Sequence, residues 1–240
     1  MAKISVILPC LNEEKGLPFC IDEILDVKKR HSLDIEVIIV NNNSTDRTVA
    51  IAEEYSQKFP EVVKLYHEEH PGYGSAYLKG FKESTGEHIF MADADGTYCF
   101  NDIPKFIQSL KDGSDLVMGD RQVRTLKNGI MPWHHKYIGN PLLSFLVIFF
   151  FKVNLHDIHC GVRAIKKSSF NSLKLYTRGM EFATEMIIKA ARRGLTIHEI
   201  PVTYRARLGE SKLESFSDGW RSLRFTLLYS PLLLFLLPLN

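Results

Sequence analysis

The sequence predicts an α/β protein, a mostly parallel sheet flanked by helices, and three observations carry that prediction. Five near-continuous apolar runs alternate in the first 120 residues with stretches of helical length whose faces are rich in Glu and Lys. Strands buried on both sides read in this way, because crossover helices cover each face of a parallel sheet. The length of 240 residues, with 45% hydrophobic and 24% charged side chains, suits one sizeable core. Finally, unusual polar clusters follow three of the five runs directly, and the carboxyl ends of parallel strands are where such sheets gather ligands.

The first run, "ISVILP" (4–9), leads into "PCLNEE" (9–14), and the second, "IEVIIV" (35–40), into "NNNSTDRT" (41–48). Ser44 or Thr45 is expected to cap the helix that follows, leaving its first N–H groups facing the crevice. After the third run, "VVKLYH" (62–67), comes "GYGSAYLKG" (72–80), which lacks the Lys-Ser/Thr ending of a P-loop and reads as a loop entering a helix. The fourth run, "HIFMA" (88–92), opens into "DADG" (93–96). Residues i and i+2 of an extended strand share a face, so Asp93 and Asp95 are expected to aim their carboxylates together. Like charges so placed repel unless a cation lies between them. Hard oxygen ligands suit Mg²⁺ or Mn²⁺, with substrate phosphates completing the shell, and Gly96 would let the backbone approach closely. The competing reading is an Asx-turn and helix cap at a strand end. "DLVMG" (115–119) is the fifth run.

The net charge of +2 hides a division, for residues 1–120 carry 21 Asp/Glu against 12 Lys/Arg, and residues 121–240 carry 7 against 18. The second half, at +11, therefore suits an anionic partner: nucleic acid, anionic lipid or a phosphorylated substrate, or else it is a solvated basic face. Cys10, Cys20, Cys99 and Cys160 have no paired spacing, which argues against a disulfide framework. His156, His159 and Cys160, like His134 and His135, match no recurrent zinc pattern. The N-terminus lacks the layout of a secretion signal and reads as mature protein. "NPLLSFLVIFFFKV" (140–153) follows the basic, aromatic "MPWHHKY" (131–137) and is either an interfacial helix or a core helix, being too short to span a bilayer. After Arg224 the chain carries no charge. Residues 221–240 are expected to lie on a membrane or to begin a transmembrane segment of a longer protein, with Arg221 and Arg224 on the cytoplasmic side.

Several motifs in order, "VILPCLNEE", "IIVNNNSTDRT", "PGYGSAYLKGFKESTGE", "MADADGTY", "DLVMGDR", "DIHCGVRAI", "GMEFATEMIIKA" and "GESKL", make residues 3 to about 224 resemble the family 2 glycosyltransferases. The branch resembled is that of the polyprenyl-phosphate sugar synthases, such as dolichyl-phosphate mannose and glucose synthases. The resemblance implies a GT-A fold over residues 1–220, with a nucleotide-sugar half (1–120), an acceptor half (121–220) and membrane-proximal C-terminal helices. It places the donor at Pro9, Asn12, Glu13, Asn41, Asn42, Asp93 and Asp95, and a Mg²⁺ or Mn²⁺ ion on Asp93 and Asp95. Acceptor phosphate would meet Arg121, Lys136, Arg205, Arg207, Ser211 and Lys212. Asp95, Arg121 and Asp157 are the implied catalytic residues. Where the family usually has Asp-Asp-Gly-Ser, this chain has Asn41-Asn42-Asn43-Ser44, so base recognition would use amide groups without charge.

The implied reaction is an inverting transfer of a hexose from UDP-glucose or GDP-mannose to a polyprenyl phosphate on the cytoplasmic face of a membrane. The partners expected are that donor, that acceptor and an anionic lipid surface; nucleic acid is not among them, and a homo-oligomer is left open. A phosphate monoester is already anionic near neutral pH, its second pKa being about 6, so no general base is required. A family 2 enzyme acting on a sugar hydroxyl would need one, with Asp157, Glu181 and Glu185 as candidates; Glu181 and Glu185 at i and i+4 of a helix can equally be structural. A non-catalytic nucleotide-sugar-binding module is the third class. A nucleotidyltransferase is disfavoured, because "PCLNEE" stands where its glycine-rich loop belongs.

Overall fold

The computed structural model describes residues 2–122, 140–209 and 215–230. Each predicted run is a strand there: β1 (Ile4–Cys10), β2 (Ile35–Asn41), β3 (Val63–His67), β4 (His88–Met91) and β5 (Leu116–Asp120). With β6 (Arg163–Lys166) and β7 (Ile197–Pro201) they form a seven-stranded sheet among the described residues, in the order β3-β2-β1-β4-β6-β5-β7. All neighbours are parallel except β6, which runs against both β4 and β5. The carboxyl ends of β1, β2, β4, β5 and β7 thus share one edge of the sheet. Because β6 is reversed, its entrance, residues 157–162, joins them.

Side-chain alternation along the strands builds two apolar layers. Ile4, Val6, Leu8, Val37 and Ile39 meet α1 (Gly16–Arg30), α2 (Thr48–Lys58) and α4 (Ile103–Lys111) on one face. Ile7, Ile38 and Val40 meet α3 (Tyr73–Glu83), α5 (Asn140–Phe151), α7 (Glu181–Arg192) and α8 (Ser215–Leu228) on the other; α6 (Lys167–Leu173) follows β6. In α1 the buried positions Leu17, Cys20, Ile21, Ile24 and Val27 repeat at helical spacing. Fully burying each such aliphatic side chain stabilises the fold by roughly 1.5–3 kcal/mol.

In the segment 140–153, residues Asn140–Phe151 form a helix with a buried side, as the core reading expects, and an exposed apolar side. Val147 is fully buried in the second layer, whereas Phe145 and Phe149 are 61% and 63% exposed. α8 packs on α5 and leaves Trp220, Leu227 and Leu228 exposed. No helix among the described residues is long and apolar enough to cross a membrane.

At the opposite edge, where the strands begin, Glu36 ties three segments together. Its carboxylate, 1% exposed, accepts hydrogen bonds from Ser5 Oγ, Thr85 N and Thr85 Oγ1 and pairs with Lys3 at 2.8 Å. Burial alone would raise its pKa, but these donors outweigh it and hold the group at about 2. Stability from Glu36 is therefore complete above the unfolded carboxylate value and is lost as pH falls towards 2. Glu36→Gln is expected to lower unfolding free energy at pH 7 by about 2–3 kcal/mol, and the deficit to shrink below pH 4 in denaturant titrations. A deficit independent of pH would assign the loss to packing.

Candidate active site

β4 ends at Met91, so Asp93 and Asp95 lie beyond the strand and their common aim is set by a loop, not by strand alternation as the sequence suggested. Gly96 follows with φ +79°, a left-handed conformation that favours glycine. Asp95 is 1% exposed. Its Oδ1 accepts from Thr97 N (2.9 Å) and Thr97 Oγ1 (2.6 Å), so the Asx-turn reading holds for one oxygen. Its Oδ2 is buried without a hydrogen bond of good geometry and faces Arg207 Nη2 at 2.7 Å. Glu13, at the end of β1, lies 3.7 Å from Arg207 Nη1.

Burial first, and then the Asp95 charge, raise the Asp93 pKa well above the usual carboxylate range, with Arg207 pulling the other way. Gly161, at the entrance of β6, makes this crowding possible, since a Cβ there would stand 2.7 Å from Asp93 Oδ2. Two adjoining carboxylates, one with a buried oxygen that no turn donor holds and that faces only a partly exposed guanidinium, fit a hard divalent cation. Asp93 and Asp95 are the residues that would hold it.

The polar segments after β1 and β2 build the neighbouring wall. Asn12, at φ +56°, accepts from the backbone N–H groups of Thr45 and Asp46. Glu13 N donates to Thr48 Oγ1. Ser44 and Thr45 do not cap α2; Asp46 accepts the N–H of Thr48, while Ser44 Oγ accepts from Asn12 N. A carboxylate two residues before the first turn competes better for that N–H than the more distant hydroxyls. Asn42 is a staple, donating to the carbonyls of Glu68 and His70 and accepting from Gly72 N. Asn41 Oδ1 likewise accepts from Ser44 N. Pro9 lies within β1 beside Val40. The asparagines thus shape the 68–72 loop that enters α3.

Arg121 and Asp157 form a buried two-point pair, with Nε to Oδ2 at 2.6 Å and Nη2 to Oδ1 at 2.8 Å. Burial opposes both charges; the partnership nevertheless keeps the Asp157 carboxyl below its usual range and the guanidinium charged. Arg121 also stands 5.4 Å from the centre of the Tyr204 ring; burial first, with the Asp95 and Asp93 charges, raises the Tyr204 pKa against the pull of Arg121. The turn carrying Asp157 is fixed by Glu199 of β7, a residue without a sequence signal. It accepts from the backbone N–H groups of His156 and Asp157 and pairs with His156 Nδ1 at 2.7 Å. Asp120, His156 and Glu199 bring ligand-type atoms within 4.8 Å of one another, a grouping unlike His156-His159-Cys160; Cys160 Sγ points to Tyr98 Oη instead.

Arg205 is drawn away from the carboxylates, bonding Glu23 at 2.9 and 3.2 Å above the Phe19 ring. Arg207 is the cation that meets Asp95. Glu185 is fully buried, accepting from Thr177 N and Oγ1 and pairing with Lys189, and Glu181 accepts from Gly179 N. From α7 both hold the turn at residues 176–179 that precedes it. Lys136, Ser211, Lys212, His134 and His135 lie outside the described residues. A shallow hollow lined by Thr85, His88, Lys166 and Lys167 is at the far edge of the sheet, remote from all of these groups.

Comparison with known proteins agrees with this geometry. Residues 5–174 match the family model for glycosyl transferase family 2. The low-salt glycan biosynthesis hexosyltransferase Agl6 of Haloferax volcanii is 39% identical over 98% of this chain, and the dolichol-phosphate mannosyltransferase of Pyrococcus furiosus is 33% identical over 88%. The chain spans 55% and 59% of the length of those two relatives. Among solved structures, glucosyl-3-phosphoglycerate synthase from Mycobacterium tuberculosis superposes over 95% of this chain and 80% of its own, with TM-score 0.75 at 20% identity. The same enzyme has been crystallised with Mn²⁺, UDP-glucose and phosphoglyceric acid. With a mostly parallel sheet, acidic loops gathered at its carboxyl edge and a family match across most of its length, this chain belongs to glycosyl transferase family 2.

Proposed function

We propose that this protein is a metal-dependent inverting glycosyltransferase that moves a hexose from UDP-glucose or GDP-mannose to a polyprenyl phosphate at the cytoplasmic face of a membrane. The observation that carries the reading is the placement of the Asp93-Asp95 pair and the Arg121-Asp157 pair on one sheet edge, with Arg121 against the Tyr204 ring. A Mg²⁺ or Mn²⁺ ion on Asp93 and Asp95 would stabilise the departing nucleoside diphosphate without proton transfer. Glu13, Asn12 and the 41–48 segment would hold the nucleoside end, while Arg121 would orient an acceptor phosphate in line with the sugar. The names of the two relatives support a hexose donor and, for one, a dolichol-phosphate acceptor.

Asp157 speaks against a hydroxyl acceptor. A general base works best with a pKa near the operating pH, whereas Arg121 holds Asp157 below the ordinary carboxylate range. The test is transfer from a panel of UDP- and GDP-hexoses, with and without a short polyprenyl phosphate. Product formed on a sugar hydroxyl, with none on the lipid phosphate, would overturn the acceptor assignment.

Membrane contact is the second part of the proposal. Phe145 and Phe149 of α5 and Trp220, Leu227 and Leu228 of α8 are exposed beside Arg221 and Arg224. Aromatic rings and cations of this kind favour the headgroup boundary. Sedimentation with anionic vesicles is expected, weakened by salt, and Phe145→Ser with Phe149→Ser is expected to lower it about tenfold or more. Unchanged sedimentation of the double variant would place the contact elsewhere.

A further inference from the structure

The Asp95 carboxylate already has a cation. Arg207 Nη2 stands 2.7 Å from Asp95 Oδ2, and Nη1 leans 3.7 Å from Glu13, so one guanidinium spans two of the acidic groups at the sheet edge. Its backbone is not free to leave. Leu208 N donates to Asp95 O (3.0 Å), Arg205 N donates to Thr97 O (2.8 Å), and Tyr204 bridges to Tyr98. The Arg205 side chain anchors to Glu23. The 204–208 strap is therefore pinned to the turn that carries Asp95, while the Arg207 side chain itself is 27% exposed.

We propose that Arg207 makes the metal site conditional on the nucleotide: it occupies Asp95 as a built-in counter-ion, resists a bare divalent cation, and yields to one that arrives with a diphosphate. The inference rests on the metal reading given above and deepens it. A divalent ion taking Asp95 Oδ2 must expel a positive group from a mostly buried partner and then tolerate it nearby. When a diphosphate accompanies the ion, the displaced guanidinium gains an anion of its own, so the two ligands favour each other. Such mutual favouring is a coupling free energy, and it is reciprocal. Without Arg207 the pair of carboxylates would attract the bare ion more strongly, and the benefit of adding nucleotide would shrink.

Calorimetry with Mn²⁺ alone, UDP alone and Mn²⁺ with saturating UDP tests this in the intact chain, with no transfer reaction in the readout. Arg207→Gln is expected to bind Mn²⁺ alone about tenfold more tightly than the unaltered protein, the scale of one partly screened charge-assisted contact. The ratio of Mn²⁺ affinity with UDP to that without is expected to fall by a similar factor. Arg207→Lys, which keeps the charge but loses the fork, is expected to fall between, and serves if the glutamine variant fails to fold. Equal or weaker Mn²⁺ binding by both variants would overturn the inference. An Asp95→Asn control separates the two failures. If it shows that the unaltered protein binds no Mn²⁺ at Asp95 even with saturating UDP, the metal reading fails and takes this one with it. If Mn²⁺ binds there with the same affinity whatever residue 207 is, only the role of Arg207 is lost.

Discussion

Asp95→Asn is expected to lower hexose transfer about a thousandfold or more while costing the fold about 1 kcal/mol or less. The two effects separate because the two oxygens of Asp95 have separate duties. Oδ1 holds the turn by accepting from Thr97 N and Oγ1, and an asparagine carbonyl accepts those bonds equally well. Oδ2, which faces Arg207, becomes an NH₂ group that neither pairs with a guanidinium nor ligates a cation. Losing that pair costs little where Arg207 returns to solvent. Relief of the repulsion with Asp93 offsets part of it. A thousandfold loss is about 4 kcal/mol of transition-state stabilisation, the several kcal/mol expected of metal stabilisation of a leaving group. Asp93→Asn, at a half-buried position, is expected to weaken Mn²⁺ and UDP binding with a smaller loss of rate. Thermal melts beside transfer assays in saturating Mn²⁺ make the check, and full activity of both variants would remove the carboxylates from the chemistry.

What made the first half legible was the chemistry of burial. β1 and β2 are seven residues each and almost wholly inside, so β-branched runs marked them with little polar interruption. β6 and β7 escaped notice for the opposite reason. "RAIK" opens on an arginine that is 1% exposed and closes on a lysine, and "IHEIP" alternates with His and Glu. Arg163 tolerates burial because it donates to the carbonyls of Cys160, Ala183 and Ile158, a satisfaction that only the tertiary fold supplies. The same limit applies to the site. The Asp-x-Asp pattern pointed to paired carboxylates, but nothing local indicated that one oxygen would build a turn and the other meet Arg207. Arg205 and Arg207 are equivalent in the sequence as cations near "GESKL". Their division between Glu23 and Asp95 comes from the strap's pinning to the 95–98 turn. Glu199 and Asp46 act on backbone N–H groups, which leave no side-chain pattern to read.

Breaking the Arg121-Asp157 pair is expected to be the costliest single change in the acceptor half. Both side chains are under a tenth exposed and joined at two points, and removing one member leaves the other charged in the interior. Arg121→Ala or Asp157→Ala is therefore expected to lower unfolding free energy by roughly 3–5 kcal/mol. The double alanine variant should lose much less than the sum, because neither charge is then stranded. Acid sensitivity follows the same pair. Asp157 is held below its usual range, so its contribution is complete above the unfolded carboxylate value near 3.9 and fades as pH falls through the folded one. Asp157→Asn is expected to show no such fading. The functional consequence needs milder changes. Arg121→Lys keeps the charge but loses the fork that matches a carboxylate on one side and a phosphate on the other. Its expected signature is a rise of about tenfold or more in KM for polyprenyl phosphate, with UDP affinity in Mn²⁺ unchanged. If acceptor KM and UDP affinity worsen together, Arg121 belongs to the donor side or to the scaffold, and the acceptor phosphate must be held by other cations of the basic half.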